Sequence, residues 1–409
     1  MKRYQKILLG TSVCLIIGGG ILGVAGIALG GNPGFAITNE GVKTKEDLEL
    51  SKFVEKSVPL QGVSSLEITC REGDVEFLEG DSFHVEYGYD EKHMQVKQQK
   101  QDAAWIFDSS YVKQVNFVGM SFFWDSIDTR QQAYLRVYIP RKTKLSELKV
   151  KNAYGTVKLS IPKLQAETIK IITESGNLEA SGVTGKKTDL ELDYGDLELS
   201  DCTFTDLSIK SESGSCTLSD MKAEDLKLEM DYGELAMNGV AADTLSVKGE
   251  SGNLSLEDVE GKDVALRSDY GEMMLTSVAA EQSLRLENES GNISLKQVKT
   301  AKLDLLNESG SVDGNTLEIA DGTLELSYGE CNLDKLTVGN LKVTSECGGI
   351  SLGLEEEEKA YSMVLAAEYG DVEINGENKG SNVTMERENA KNRLDLYNEN
   401  GSITITTTK

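Results

Sequence analysis

Apolar residues two positions apart, with polar residues between them, recur along most of this chain, and the pattern restarts at a glycine. Gly155, Gly176, Gly195, Gly214, Gly233, Gly252, Gly271, Gly291, Gly310, Gly329, Gly348 and Gly370 mark the restarts, and nine of the eleven steps between them are 19 or 20 residues. Two residues after glycine stand Leu178, Leu197, Cys216, Leu235, Leu254 and Met273; seven and five before it stand pairs such as Leu207/Ile209, Leu226/Leu228 and Leu245/Val247. Such alternation predicts half-buried strands. Each unit reads as strand, glycine bend, strand and wider turn. A unit this short cannot bury its apolar face alone, so it must stack on its neighbours. The predicted fold is therefore all-β: a single-chain β-solenoid (β-helix) of ~19-residue rungs, spaced about 4.8 Å apart.

The residue before the glycine mostly alternates between tyrosine and a small residue, as in Tyr154, Ser175, Tyr194, Ser213, Tyr232, Ser251, Tyr270 and Ser290, and the order breaks once, where Ser309 follows Ser290 before Tyr328 resumes. The sequence predicts a packing column, a ring on one rung filling space beside a serine on the next. Four residues before glycine the charge alternates through Glu191, Lys210, Glu229 and Lys248, which suits cross-strand pairs. Two before it the sign is constant: Glu174, Asp193, Glu212, Asp231, Glu250, Asp269, Glu289 and Glu308. A like-charge column is destabilising unless something offsets it. The preferred offset is local, each carboxylate accepting the backbone N–H two residues on. The alternative hypothesis is calcium, which gathers oxygen ligands. No calcium-loop motif accompanies the column, and no other cofactor is expected.

The ends of the chain read differently. Residues 1–6 carry Lys2, Arg3 and Lys6, and 7–29 form an uncharged apolar stretch of 23 residues. That length crosses a hydrocarbon core of about 30 Å as a helix and exceeds the roughly 7–15 apolar residues of a cleaved signal peptide. The expectation is a single-pass transmembrane helix with a short cytoplasmic tail and the bulk of the chain extracytoplasmic. Residues 30–58 read as a linker, 59–150 as a looser β region capping the solenoid, and 151–409 as the regular repeats. The region 59–150 contains an aromatic insertion with Trp105, Phe107, Phe117, Phe122, Phe123 and Trp124. A solenoid end needs a cap, and these aromatics are read first as that cap. The alternatives are an exposed binding loop and contact with the membrane interface.

A formal net charge of −26 argues against nucleic acid as a partner. The six cysteines do not form a disulfide framework; Cys202, Cys216 and Cys331 fall in apolar columns, and none of the spacings matches a zinc site. His84 and His93 are the only histidines and lie outside the regular repeats, which excludes a histidine-dependent triad there. Paired carboxylates do serve glycoside hydrolysis. These, however, recur evenly, whereas a catalytic pair occupies one irregular cluster with distinct environments. The reading is non-enzymatic.

The blocks "SSLEITCREGDVEF" and "YLRVYIP", the repeated "ESGNL" and "DYGEL" turns and the closing "NENGSITI" resemble a bacterial domain-of-unknown-function family of β-strand repeats, often labelled adhesins. The resemblance runs from about residue 58 to 409 and departs from the family mainly in its tyrosine rungs. It implies a membrane-anchored or secreted envelope protein that binds or scaffolds at the surface, with a cell-surface or envelope protein or a glycan as ligand. It supplies no catalytic residue and no cofactor. The alternative function is an envelope-stress sensor or accessory protein, which a cytoplasmic tail of about six residues would oblige to signal through a membrane partner. A polysaccharide-cleaving enzyme stands behind both.

Overall fold

The structure, a computed structural model, describes residues 11, 12, 15, 18, 19, 35–38, 41–44, 52–112 and 132–408. Of the predicted membrane span 7–29, the described residues Thr11, Ser12, Leu15, Gly18 and Gly19 are helical. The rest of that span, and the tail 1–6, lie outside the described residues. Among the described residues no helix is long and apolar enough to cross a membrane.

The chain divides into two compact units. One comprises Met1–Lys56, Gly88–Val96 and Ser109–Ala133; the other comprises Ser57–Tyr87, Lys97–Asp108 and Tyr134–Lys409. The first contains an antiparallel pair, Phe35–Thr38 with Gly41–Thr44, and a clasp around the buried Asp90. The backbone N–H groups of Lys52 and Lys92 each donate to Asp90 Oδ1 at 3.0 Å, and His93 Nδ1 lies 2.9 Å from Oδ2. The segment expected as a linker, 30–58, thus holds strands at 35–38, 41–44 and 53–59.

The second unit is an all-β solenoid of parallel, in-register rungs. Leu190 pairs with Ile209, Ile209 with Leu228, and Leu228 with Val247, and all four are buried. The column two residues after glycine forms the facing wall, with Leu197, Cys216, Leu235, Leu254 and Met273 at most 2% exposed. A fully buried leucine of this kind is worth roughly 2–5 kcal/mol against alanine. The one 20-residue step in the regular run, Gly271 to Gly291, is absorbed away from the bend: the register shifts between Ala280 and Ser283. The bends therefore stay stacked.

The rungs do not follow chain order at either end. Strand Ser65–Cys70 lies between Lys144–Tyr154 and Ala104–Tyr111, and its companion Asp74–Glu79 lies between Val157–Ser160 and Tyr134–Ile139. Ala104–Tyr111 with Tyr134–Ile139 is thus the next rung outward, and Tyr134–Ile139 pairs in turn with His84–Asp90. At the other end, Asn392–Asn400 lies between Cys331–Cys347 and Tyr361–Ala367, and Ile403–Thr408 lies between Ile350–Glu357 and Val372–Ile374. The motif "NENGSITI", which closes the sequence, does not close the stack. It is the second layer in, because the outermost rung carries antiparallel strands: Asn382–Met385 pairs with Tyr361–Ala367, and Glu377–Asn378 pairs with Val372–Ile374. Those short strands occupy the edge that another rung would otherwise need.

Candidate functional site

The glycines build one corner of every rung. Gly195, Gly214, Gly233 and Gly252 have φ between +132° and +137°, a region L-residues rarely adopt. A Cβ at Gly214 would stand 2.0 Å from the carbonyl oxygen of Gly195, and one at Gly233 would stand 2.0 Å from that of Gly214. Conformation and close backbone approach therefore both demand glycine.

Beneath the corner runs a column of inward residues, three before each glycine, that sequence reasoning missed. It contains Asn152, Thr173, Ser211, Ser268, Asn288, Asn307, Ser345 and Asn398, all at most 3% exposed. The asparagines donate to the bend carbonyls: Asn288 Nδ2 to Gly271 O at 3.2 Å and to Gly291 O at 3.0 Å, and Asn152 Nδ2 to Gly155 O at 2.9 Å. The signal was an asparagine three residues before glycine, as in "NESG" and "NENG".

The tyrosines stand outside this corner. Tyr194, Tyr232 and Tyr270 are each 62% exposed, Tyr328 60% and Tyr369 71%. This corrects the packing reading of the column. Strict alternation places the residue before glycine on the same inward face as the residues seven, five and three before it. The bend interrupts that alternation at the glycine and turns the preceding side chain outward. Tyr194 is in register with Ser175 and Ser213, and Tyr232 with Ser213 and Ser251. Successive rings are thus two rungs, about 9.6 Å, apart. The serines between them leave a notch beside each ring.

The eight carboxylates of the predicted acidic column all project outward on the same corner. Glu174, Asp193 and Asp269 are half-buried, and Glu212, Asp231, Glu250, Glu289 and Glu308 are exposed. None accepts the backbone N–H two residues on, so the local turn expected for them is absent among the described residues. The residue after glycine carries a related bond between rungs instead. Asp196 N–H donates to Asn177 Oδ1 at 3.0 Å, Ser215 N–H to Asp196 Oδ1 at 2.9 Å, and Ser311 N–H to Asn292 Oδ1 at 2.9 Å. Lysine and arginine pair with three of the eight, Glu174, Asp269 and Glu289. Glu174 meets Lys151 at 3.0 Å and Arg71 at 3.8 Å. Arg267 meets Asp269 at 3.3 Å and Glu289 at 3.0 Å, and the hydrogen bond it donates to Asp269 raises the guanidinium pKa above its ordinary value. Asp193, Glu212, Asp231 and Glu250, on four consecutive rungs, form no ion pair among the described residues. One column away, Glu229 is in register with Lys210 and Lys248, and the ammonium of Lys227 at 2.7 Å holds its carboxyl below the usual range.

Among the described residues no group of three His, Cys, Asp or Glu side chains is placed to hold a metal ion. The aromatic group is split. Trp105 is 1% exposed on the strand beside Ser65–Cys70, its indole N–H donates to Gln98 Oε1 at 3.0 Å, and its ring lies 5.5 Å from that of Phe107. Trp105 is thus a core side chain and not part of an exposed loop. Its strand alternates inward and outward, and position 105 falls on the inward face beside Leu66. Phe117, Phe122, Phe123 and Trp124 lie outside the described residues.

The site is therefore a repeated edge on an all-β solenoid, with exposed rings at every second rung from Tyr154 to Tyr270 and again at Tyr328, and carboxylates at nearly every rung. The chain belongs to the Toastrack DUF4097 family, whose sequence profile matches residues 63–243 and 238–406. Solved structures similar to it include a "putative cell adhesion protein" from Clostridium sporogenes, at 10% identity, covering 88% of this chain and 100% of that one with a TM-score of 0.19. A "putative adhesin" from Bacteroides fragilis matches at 9% identity over 87% of this chain and 97% of its own, with a TM-score of 0.22. Another "putative adhesin", from Parabacteroides merdae, matches at 15% identity over 74% of this chain and 92% of its own, with a TM-score of 0.22. No curated protein matches.

Proposed function

We propose that this chain is a non-enzymatic surface-binding protein, held in the membrane by residues 7–29 and displaying its solenoid on the extracytoplasmic side. The observation that carries the binding role is the exposure of Tyr194, Tyr232, Tyr270 and Tyr328, each 60–62% open to solvent. An exposed tyrosine supplies a large, rigid contact surface at low entropic cost, and four in one column make a repeated contact surface. The apolar length of 7–29 and the basic residues before it support the anchor and its orientation. Even repetition of the edge supports binding over catalysis, since a catalytic centre needs one distinctive cluster.

The test is to display the full chain on cells and measure capture of partner cells and of isolated envelope material. The comparison is a variant with Tyr194→Ser, Tyr232→Ser, Tyr270→Ser and Tyr328→Ser. Capture by the native chain and loss in the variant support the reading; equal capture by both removes it. Release of soluble sugar from purified wall polymer would replace it with an enzyme. Extraction of the full chain from membranes by alkaline carbonate would remove the anchor.

A further inference from the structure

The edge contains an example of what it holds. At the first bend, Arg71 places its guanidinium 5.5 Å from the Tyr154 ring centroid and 3.8 Å from Glu174, a carboxylate of the next rung. A second case lies nearby, where Arg136 sits 4.7 Å from the Tyr134 ring centroid and 2.8 Å from Glu76. A ring face and a carboxylate together attract a guanidinium by cation–π and charge-assisted contacts. Further along the column the same pairing of ring and carboxylate recurs without its cation. Tyr194 and Tyr232 are flanked by Asp193, Glu212, Asp231 and Glu250, which form no ion pair among the described residues. Lys210 and Lys248 lie two positions away on the same strands and do not reach them.

We propose that this open stretch of the edge docks an extended polypeptide segment bearing arginine or lysine at every third residue. The spacing follows from two repeats. Rings two rungs apart are about 9.6 Å apart, and an extended segment in the polyproline II conformation has three residues per turn and advances about 3.1 Å per residue, so every third side chain returns to the same face about 9.3 Å further on. A cation on every third residue therefore meets successive rings, while the residues between pass over the serine notches. The net charge of −26 favours the same partner by long-range attraction. This inference rests on the surface-binding reading and adds the chemistry of the ligand.

The experiment measures fluorescence anisotropy of a fluorescein-labelled (Arg-Gly-Ser)5 peptide titrated with the full chain in detergent micelles. The expected result is saturable binding, weakened about tenfold or more in Tyr194→Ser/Tyr232→Ser/Tyr270→Ser. Serine already occupies the alternate rungs of this column, and an unchanged melting temperature checks that the variant is folded. The corresponding Tyr→Phe variant keeps its ring faces and should bind like the native chain. A peptide of the same composition with its five arginines contiguous should bind more weakly. Equal affinity for the native and Tyr→Ser chains would reduce the effect to bulk charge and overturn the proposal. Tyrosine-dependent binding of a β-1,4-linked N-acetylglucosamine hexamer, with none of the peptide, would make the edge a glycan site instead. If cell capture depends on the tyrosines but the peptide does not bind, the surface-binding reading stands and the cationic ligand falls. If neither capture nor the peptide depends on the tyrosines, both fall.

Discussion

The carbonyl oxygen of Gly195 occupies the space that a Cβ on Gly214 would need, the two being 2.0 Å apart. Backbone stacks on backbone at this corner with no side chain between. Gly214→Ala should therefore cost at least about 2–3 kcal/mol, from the φ of +133° and the displaced rung together. Gly349→Ala is the control: its Cβ would meet only Ser402 O, at 3.9 Å, and the change should stay within about 0.5 kcal/mol. Urea unfolding of both variants measures the difference, and similar midpoints would refute the steric argument.

The thiols should report the core. Burial pushes Cys216 up to about 11 and Cys331 up to about 12, so neither presents a thiolate near neutral pH. Cys70 and Cys202 are buried as well, and Cys347, beside Gly348, is half-buried. Among these five, a thiol reagent should label Cys347 in the native protein and the others only after unfolding. Mass spectrometry of labelled peptides decides this; fast native labelling of Cys331 would contradict its buried position.

Acid should loosen the Asp90 clasp. Burial alone would raise this carboxyl, but the N–H groups of Lys52 and Lys92 and the His93 ring outweigh it, leaving the pKa below 3.8. A carboxyl lowered on folding contributes stability above its unfolded pKa and loses it as pH falls through the folded value. The amide shifts of Lys52 and Lys92 should titrate together below the ordinary carboxylate range, and Asp90→Asn should abolish that titration. Loss of two hydrogen bonds to a charged acceptor should cost about 1–3 kcal/mol locally. Amide shifts that titrate unchanged in Asp90→Asn would dissociate them from this carboxyl.

Calcium should leave the melting temperature where sodium chloride of equal ionic strength leaves it. The acidic column is one carboxylate wide, and hard cations need several oxygen ligands converging at one point. A ligand bound only to the folded state at a hundredfold its dissociation constant adds about 2.7 kcal/mol. A calcium-specific rise of that order would restore the cation-site reading.

The sequence shows the stacking plainly, because period-two alternation and a fixed glycine step are both local signals. Leu190, Ile209 and Leu228 could be assigned to one wall from their distance to glycine alone. The outward turn of Tyr194 was hidden, since it depends on a positive φ at Gly195 that breaks the alternation. The asparagine column was hidden for a related reason: a polar residue at an apolar parity reads as an exception until the glycine carbonyls it serves are seen. Trp105 looked like part of an irregular insertion because its partner strand, Ser65–Cys70, precedes it in sequence and pairs across a long separation. The order of the end rungs was equally illegible, as period says which units stack but not in what sequence.

The tucked end rungs decide how the solenoid answers a pull. A rung at the open end of a stack has a neighbour on one side and can be peeled away, its hydrogen bonds failing one after another. Asn392–Asn400 and Ile403–Thr408 are gripped on both faces. Tension on the chain at Thr408 runs along these strands and loads both ladders at once, in shear. The rung Ser65–Cys70 with Asp74–Glu79 is held in the same way at the opposite end. Near both ends of the repeat a pull on the chain therefore meets strands paired on both edges, and must break two ladders together rather than unzip one.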